Sequence, residues 1–401
     1  MPPLPFPIGN SGIHVSPLVA LFGLLASSSR ITEWRSSWHG SLPFLFVLFL
    51  AVLAGSVVFA EVYSGWKVAS ESLARVLLFG IGVYVFLYQF IGPGANESDS
   101  LTFARFLFWI GLLGAVFACV DFYFQLPAPA GYAPQFVWLK HRVLRRAQGV
   151  FYEASTLGNF CAFFLAMILP ASFPVRGRRM WSWLVLIPGA LVFSTALIFS
   201  SSRASVVTVV IAGCAFVCIR GWKTMRVLIP ICVLSATAGV AVRYALPGFS
   251  ANYWSRIGAS MRYLWTSPNG VLSGRITHWK VLVDFLAKHP WHLLFGIGYK
   301  TLPYTNLTGA SVIADNTYLS LLVETGIAGL IVFAVLNAAI LRTAYRAARS
   351  DQIRASFFGG WIFCFWCGEM VQMLTGDLIT YWRVLPVYFW VLATAARESG
   401  N

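Results

Sequence analysis

A chain of 401 residues that is 58% hydrophobic, 16% aromatic and 11% charged, with a mean hydropathy of +0.73, is too apolar for a soluble domain. Soluble domains carry charge on about a quarter of their residues. The net charge of +15 points to basic loops beside a membrane, because cytoplasmic Lys and Arg set orientation and meet anionic headgroups; nucleic acid binding is the excluded reading.

Met1 to Asn10 has no positively charged n-region, so no cleavable signal peptide is expected. Apolar runs long enough to cross a bilayer follow at 12–28, 41–62, 72–92, 102–123, 153–172, 181–200, 203–219, 226–245, 316–341, 355–375 and 379–397. They predict an all-α polytopic membrane protein with about 11 spans, give or take one. The seven cysteines are scattered, almost all inside these runs, and read as small buried hydrophobes. Cys364 and Cys367 have zinc or redox spacing, but no further polar ligand lies near them, so no metal is expected.

Three basic clusters fix the orientation: Arg176, Arg178 and Arg179; Arg220, Lys223 and Arg226; and Arg342, Arg346, Arg349 and Arg354. Placing them inside puts the segment 246–314 outside, as a loop of about 70 residues that is too long for a plain connection. The expected organisation is one integral membrane domain over 1–401 with 246–314 inserted as an external subdomain. Within it, Ile276, Trp279, Leu282, Val283 and Leu286 fall on one face of a helix from Ile276 to His289, with His278, Lys280, Asp284 and Lys288 largely opposite. A shorter external loop, 124–150, holds Lys140, His141, Arg142, Arg145 and Arg146.

The same orientation strands several arginines on the outer side. Arg203 follows Ser200, Ser201 and Ser202 at the start of a span, where the helix dipole repels a cation unless an anion shares the site. A lone arginine there can also snorkel to the headgroups. Arg275 and Arg146 repeat the pattern. Outer carboxylates are few: Glu153 opens one span, and Asp315 with Asn316 opens the span after the long loop, where Asp315 suits a helix cap. Glu324 lies further along that helix as a candidate partner for an arginine. Glu369, Asp377 and Arg383 are candidate ion-pair members of the last two spans.

Taken in order, Arg146-x-x-Gly149, Phe151-Tyr152-Glu153, Ser202-Arg203-Ala204, Ser273-Gly274-Arg275 with Trp279 and Phe285, His289-Pro290, Gly296-Ile297-Gly298, Asp315-Asn316-Thr317-Tyr318-Leu319 and Glu324-Thr325-Gly326 resemble the O-antigen ligase and polysaccharide polymerase superfamily. Gly296-x-Gly298 by itself lacks the strand and helix of a nucleotide fingerprint. The resemblance implies a membrane glycosyltransferase of the bacterial inner membrane with its site facing the periplasm. Its donor would be a glycan on undecaprenyl diphosphate, and its acceptor a second glycan. Neither a cofactor nor a metal is implied, and chain-length regulator and flippase proteins are further candidate partners.

It also implies that Arg203 and Arg275 hold the diphosphate; Arg142, Arg145, Arg146, Glu153, Asn316 and Tyr318 are further candidates for substrate binding. Guanidinium groups suit the charge that develops on such a leaving group. Ligases of the superfamily carry His-Asn where this chain has Asp315-Asn316, which favours a repeat-unit polymerase over a ligase, with transport of lipid-linked glycan a third reading. Asp315 can serve as base if burial raises its pKa toward working pH or if the arginines do not weaken it too far. Glu153, His278 and His289 are the other candidates. Tyr253, Trp254, Tyr263, Trp265, Tyr299, Tyr304 and Tyr318 offer faces for sugar rings, or membrane-interface anchors.

Overall fold

The computed structural model describes residues 7–8, 11–12, 41–91, 97–127, 135–139, 143–174, 180–309 and 311–400. The expected first span at 12–28 lies outside these residues apart from Gly12, as do Lys140, His141, Arg142, Arg176, Arg178 and Arg179. Helices dominate: α1 Ser41–Ser64, α2 Trp66–Ile91, α3 Glu97–Phe124, α4 Ala154–Ser172, α5 Trp183–Ser200, α6 Arg203–Arg220, α7 Met225–Ala245, α8 Pro247–Tyr263, α9 Pro268–Val271, α10 Arg275–Lys288, α11 Trp291–Phe295, α12 Thr317–Ala348, α13 Ile353–Gln372 and α14 Leu385–Gly400. Among the described residues, eight helices are long and apolar enough to cross a membrane: α1 to α7 and α12. The runs expected at 355–375 and 379–397 form α13 and the shorter α14. The protein is therefore an all-α polytopic membrane protein.

The chain forms two compact units. The first comprises residues 1–93, 268–342 and 373–393. Here α1 packs on α2 through interlocked aromatic rings, with Phe49 5.5 Å from Phe79 and Phe46 4.8 Å from Phe389. A satellite core of Leu282, Phe285, Ile297, Leu302, Val312, Ala314 and Val323 joins α10 and the segment after α11 to the start of α12. The predicted amphipathic helix forms as α10, with one difference in its buried face. Val283 is exposed, and Phe285, three residues beyond Leu282, turns inward instead.

The second unit comprises residues 94–267, 343–372 and 394–401, so the expected external segment divides between Ser267 and Pro268. Its centre is α4, apolar all round and almost wholly buried against α5, α6 and α13. The Trp361 indole N–H donates to Phe163 O at 2.9 Å, giving the one polar atom of that ring a partner inside the bundle. At one end of this unit, Phe136–Trp138 pairs antiparallel with Val143–Arg145. Asp121, at the end of α3, anchors the strand pair through a buried ion pair with Arg145.

Candidate functional site

In the first unit the candidate groups gather where α10 and α12 begin. Ser273 and Gly274 both adopt positive φ, 58° and 83°, and turn the chain so that Arg275 opens α10. Its Nε donates to Asp315 Oδ2 at 3.0 Å, with side-chain exposures of 28% for Arg275 and 41% for Asp315. Trp279, one turn along, donates its indole N–H to Ala314 O at 2.7 Å and fixes α10 against the approach to Asp315. The helix cap is not Asp315. Asn316 takes that place, its Oδ1 accepting from Leu319 N at 3.0 Å, while Asp315 sits at φ 44° with its carboxylate on Arg275.

The head of α12 is clamped from a second direction. Thr317 N donates to Met373 O at 2.9 Å, Thr317 Oγ1 donates to Gly376 O at 2.8 Å, and Leu378 N donates back to Thr317 Oγ1 at 3.2 Å. Tyr318, half-buried, lies 6.1 Å ring to ring from Phe333.

The glycine motifs prove to be joints. Gly326 adopts φ 72° and ψ −174°, which breaks α12 and releases the carbonyls of the turn before it. Ile297 N donates to Val323 O at 3.1 Å and Gly298 N to Glu324 O at 2.8 Å. A Cβ on Gly296 would stand 2.4 Å from Glu324 O, and one on Gly326 would stand 2.2 Å from Leu294 O. Gly296-Ile297-Gly298 thus docks on a helix break. Beneath it, Lys300, which no sequence signal announced, joins Asp377 and Glu324 in one polar group. Lys300 Nζ pairs with Asp377 Oδ2, and Glu324 Oε1 accepts from Leu302 N at 3.5 Å. The expected arginine partner for Glu324 is replaced by backbone donors, and Asp377 pairs with Lys300 rather than with Arg383, which stacks over Trp382 at 4.7 Å.

In the second unit, Ser202 caps α6, its Oγ accepting from Ser205 N at 3.4 Å, and Arg203 is the first helical residue. Arg203 Nη1 donates to Ser260 Oγ on α8. Arg146 Nε donates to Ser200 O at 2.7 Å, so Arg146 and Arg203 flank one serine turn. That turn meets the start of α4 at Gly158, where a Cβ would stand 2.6 Å from Ser202 Cβ. Glu153 occupies the N-cap position of α4 without a side-chain bond to the helix backbone, and its Oε2 accepts from Thr156 Oγ1 at 2.7 Å. Further down the bundle, Asn159 donates to Glu369 Oε2 at 2.6 Å.

Arg145 faces inward. It is 9% exposed and donates to Asp121, Leu126 O and Gln148 Oε1, which ties the strand pair to α3. Arg142 lies outside the described residues. His278 and His289 are exposed. Among the aromatic candidates, Tyr253 and Tyr299 are buried. Burial pushes the Tyr253 hydroxyl up to about 12 and the Tyr299 hydroxyl well above its ordinary value, where Asp377 and Glu324 add to the shift. Trp254, Tyr263, Trp265 and Tyr304 are exposed. No group of three or more His, Cys, Asp or Glu able to hold a metal occurs among the described residues.

Apolar helices carrying cations and carboxylates at their ends define a polytopic membrane protein whose candidate groups cluster at helix starts. The family model described as O-antigen ligase matches residues 188–334, a little over a third of the chain, and supports a likeness to the O-antigen ligase and polysaccharide polymerase superfamily. The matched segment runs from α5 to the first part of α12 and contains Arg203, Arg275, Asp315, Asn316 and Tyr318; Arg146 and Glu153 precede it. No curated protein matches the chain.

Proposed function

We propose that the protein is a polymerase of oligosaccharide repeat units carried on undecaprenyl diphosphate, acting at the outer face of the bacterial inner membrane. The observation that carries this reading is the Arg275–Asp315 pair: a cation suited to phosphate and a candidate base held 3.0 Å apart where two helices begin. Arg275 Nε faces Asp315, and among the described residues its two Nη groups have no other hydrogen-bond partner, so a diphosphate oxygen can join them.

The acceptor hydroxyl oxygen then attacks the anomeric carbon of the donor sugar as Asp315 takes the hydroxyl proton. The bond from that carbon to the diphosphate oxygen breaks, and undecaprenyl diphosphate leaves with the electron pair. A single displacement inverts the anomeric centre. For Arg203 the proposed role is likewise contact with the lipid diphosphate, supported by its place at a serine-capped helix start. Arg146 and Glu153 beside that turn, with Asn316 and Tyr318 at the head of α12, are proposed to contact sugar or phosphate.

Asp315 stands where ligases of the superfamily carry histidine, which supports polymerase. The second reading is a ligase that moves finished glycan to another acceptor, supported by the description of the matched family. Lipid analysis of a strain lacking the protein separates the two. Single repeat units accumulating on the carrier are the expected result; full-length glycan stranded on the carrier would assign a ligase, and an unchanged lipid pool would remove both.

A further inference from the structure

The segment Thr317–Thr325 is short, yet it is gripped at both ends by two different stretches of chain. At its head, Thr317 exchanges hydrogen bonds with Met373, Gly376 and Leu378. At its tail, Val323 and Glu324 accept from Ile297 and Gly298 across the Gly326 break. The two gripping stretches are themselves joined: Lys300, two residues beyond Gly298, pairs with Asp377, between Gly376 and Leu378. The result is a closed ring of contacts, in which Lys300–Asp377 is the only charged link.

That link is unusual in its setting. The Lys300 side chain is 4% exposed and that of Asp377 is 18% exposed. Glu324, 1% exposed, adds a third ionisable group, and its Oε2 has no hydrogen-bond partner among the described residues. Burying an ion pair costs desolvation that its attraction barely offsets, and apolar replacements are often as stable. Stability is thus a poor reason for the pair to exist. A buried pair is better suited to fixing one register, because only one arrangement matches both charges. Lys300 even adopts φ 57°, a strained backbone for a lysine, in reaching its position.

Resting on the reaction proposed above, we infer that Lys300 and Asp377 are positioning residues that set the place of Asp315 and Asn316 relative to Arg275. Neither touches the reacting atoms. The pair fixes the 373–378 stretch, the stretch fixes Thr317, and Thr317 follows directly on Asp315 and Asn316. A displacement of about 1 Å at a reacting group can cost on the order of 100-fold in rate.

The test uses the full-length protein in proteoliposomes with a synthetic polyprenyl-diphosphate-linked repeat unit. Lys300→Met and the near-isosteric Asp377→Asn are expected to lower kcat on the order of 10- to 100-fold with donor KM almost unchanged, at a normal level of inserted protein. The exchanged pair Lys300→Asp with Asp377→Lys is expected to recover much of the loss. Wild-type kcat in both single variants overturns the inference, as does a loss of rate that only tracks loss of inserted protein. Asp315→Asn is measured alongside. If it is inactive while Lys300→Met is normal, the inference fails and the reaction stands; if Asp315→Asn turns over normally, the assignment of Asp315 as base fails, and the inference with it.

Discussion

Arg275 and Asp315 hold each other across 40 residues of chain, Nε to Oδ2 at 3.0 Å, at the adjoining starts of two helices. Each residue therefore holds the other's side chain in place. A variant at either position removes one group and also releases its neighbour.

Asp315→Asn keeps the shape and removes the proton acceptor. Turnover is expected to fall about 100- to 10,000-fold, the span typical of a lost general base, with the protein still inserted. Polymer formation in proteoliposomes measures it. Near-normal turnover would move the role to Glu153 or to a histidine.

Arg275→Ala and Arg203→Ala are each expected to lower turnover about 100- to 1,000-fold, as for the loss of one strong donor to a developing anion. Arg275→Lys should recover little, because an ammonium cannot face Asp315 with one edge and phosphate with another. Normal polymer length on a gel with both alanine variants would sink the assignment.

Asn316→Ala removes the side-chain acceptor for Leu319 N and is expected to cost about 1 kcal/mol. Asn316→Asp should hold stability near wild type. Thermal unfolding in detergent reads both, and equal melting of the alanine variant would show that the cap contributes nothing there.

Gly326→Ala places a methyl group against Leu294 O and forces an alanine into left-handed backbone. The loss should exceed the roughly 1 kcal/mol typical of Gly→Ala at a positive-φ site, because the contact adds to the strain. Gly65→Ala, also at positive φ but with open space around it, is the matched control and should cost only the backbone term. Comparable melting points would remove the close approach from the account.

Arg145→Met leaves Asp121 buried and unpaired. The expected loss is about 3 to 5 kcal/mol, read as reduced yield and melting temperature. An activity loss at wild-type stability would instead give Arg145 a direct part in substrate binding.

What the sequence discloses here depends on how far apart the cause and its signal lie. Runs such as Leu42 to Ala60 announce a helix within themselves, because length and apolarity suffice. Asp315 and Arg275 were legible as outliers in sidedness, yet not as partners, since 40 residues separate them. Arg145 reads as one more outward cation because Asp121, which holds it, ends the preceding helix 24 residues earlier. Lys300 carries no local mark of burial at all. Val283, expected on the buried face, is exposed while Phe285 is buried for a related reason: α10 buries only the side that meets Ile297 and Val323, and helical spacing cannot name that partner.

The break at Gly326 also resolves a mismatch of length. A straight helix from Thr317 to Ala348 would run about 48 Å, while the hydrocarbon of a bilayer is about 30 Å thick. Residues 327–348 alone give about 33 Å, enough to cross with slight tilt. The stub from Thr317 to Thr325, about 13 Å, is then surplus to the crossing and belongs at headgroup depth. In the reaction proposed above, a lipid-borne diphosphate would ride at that level, and the stub would act as a spacer that sets Asp315 at the height of its charge.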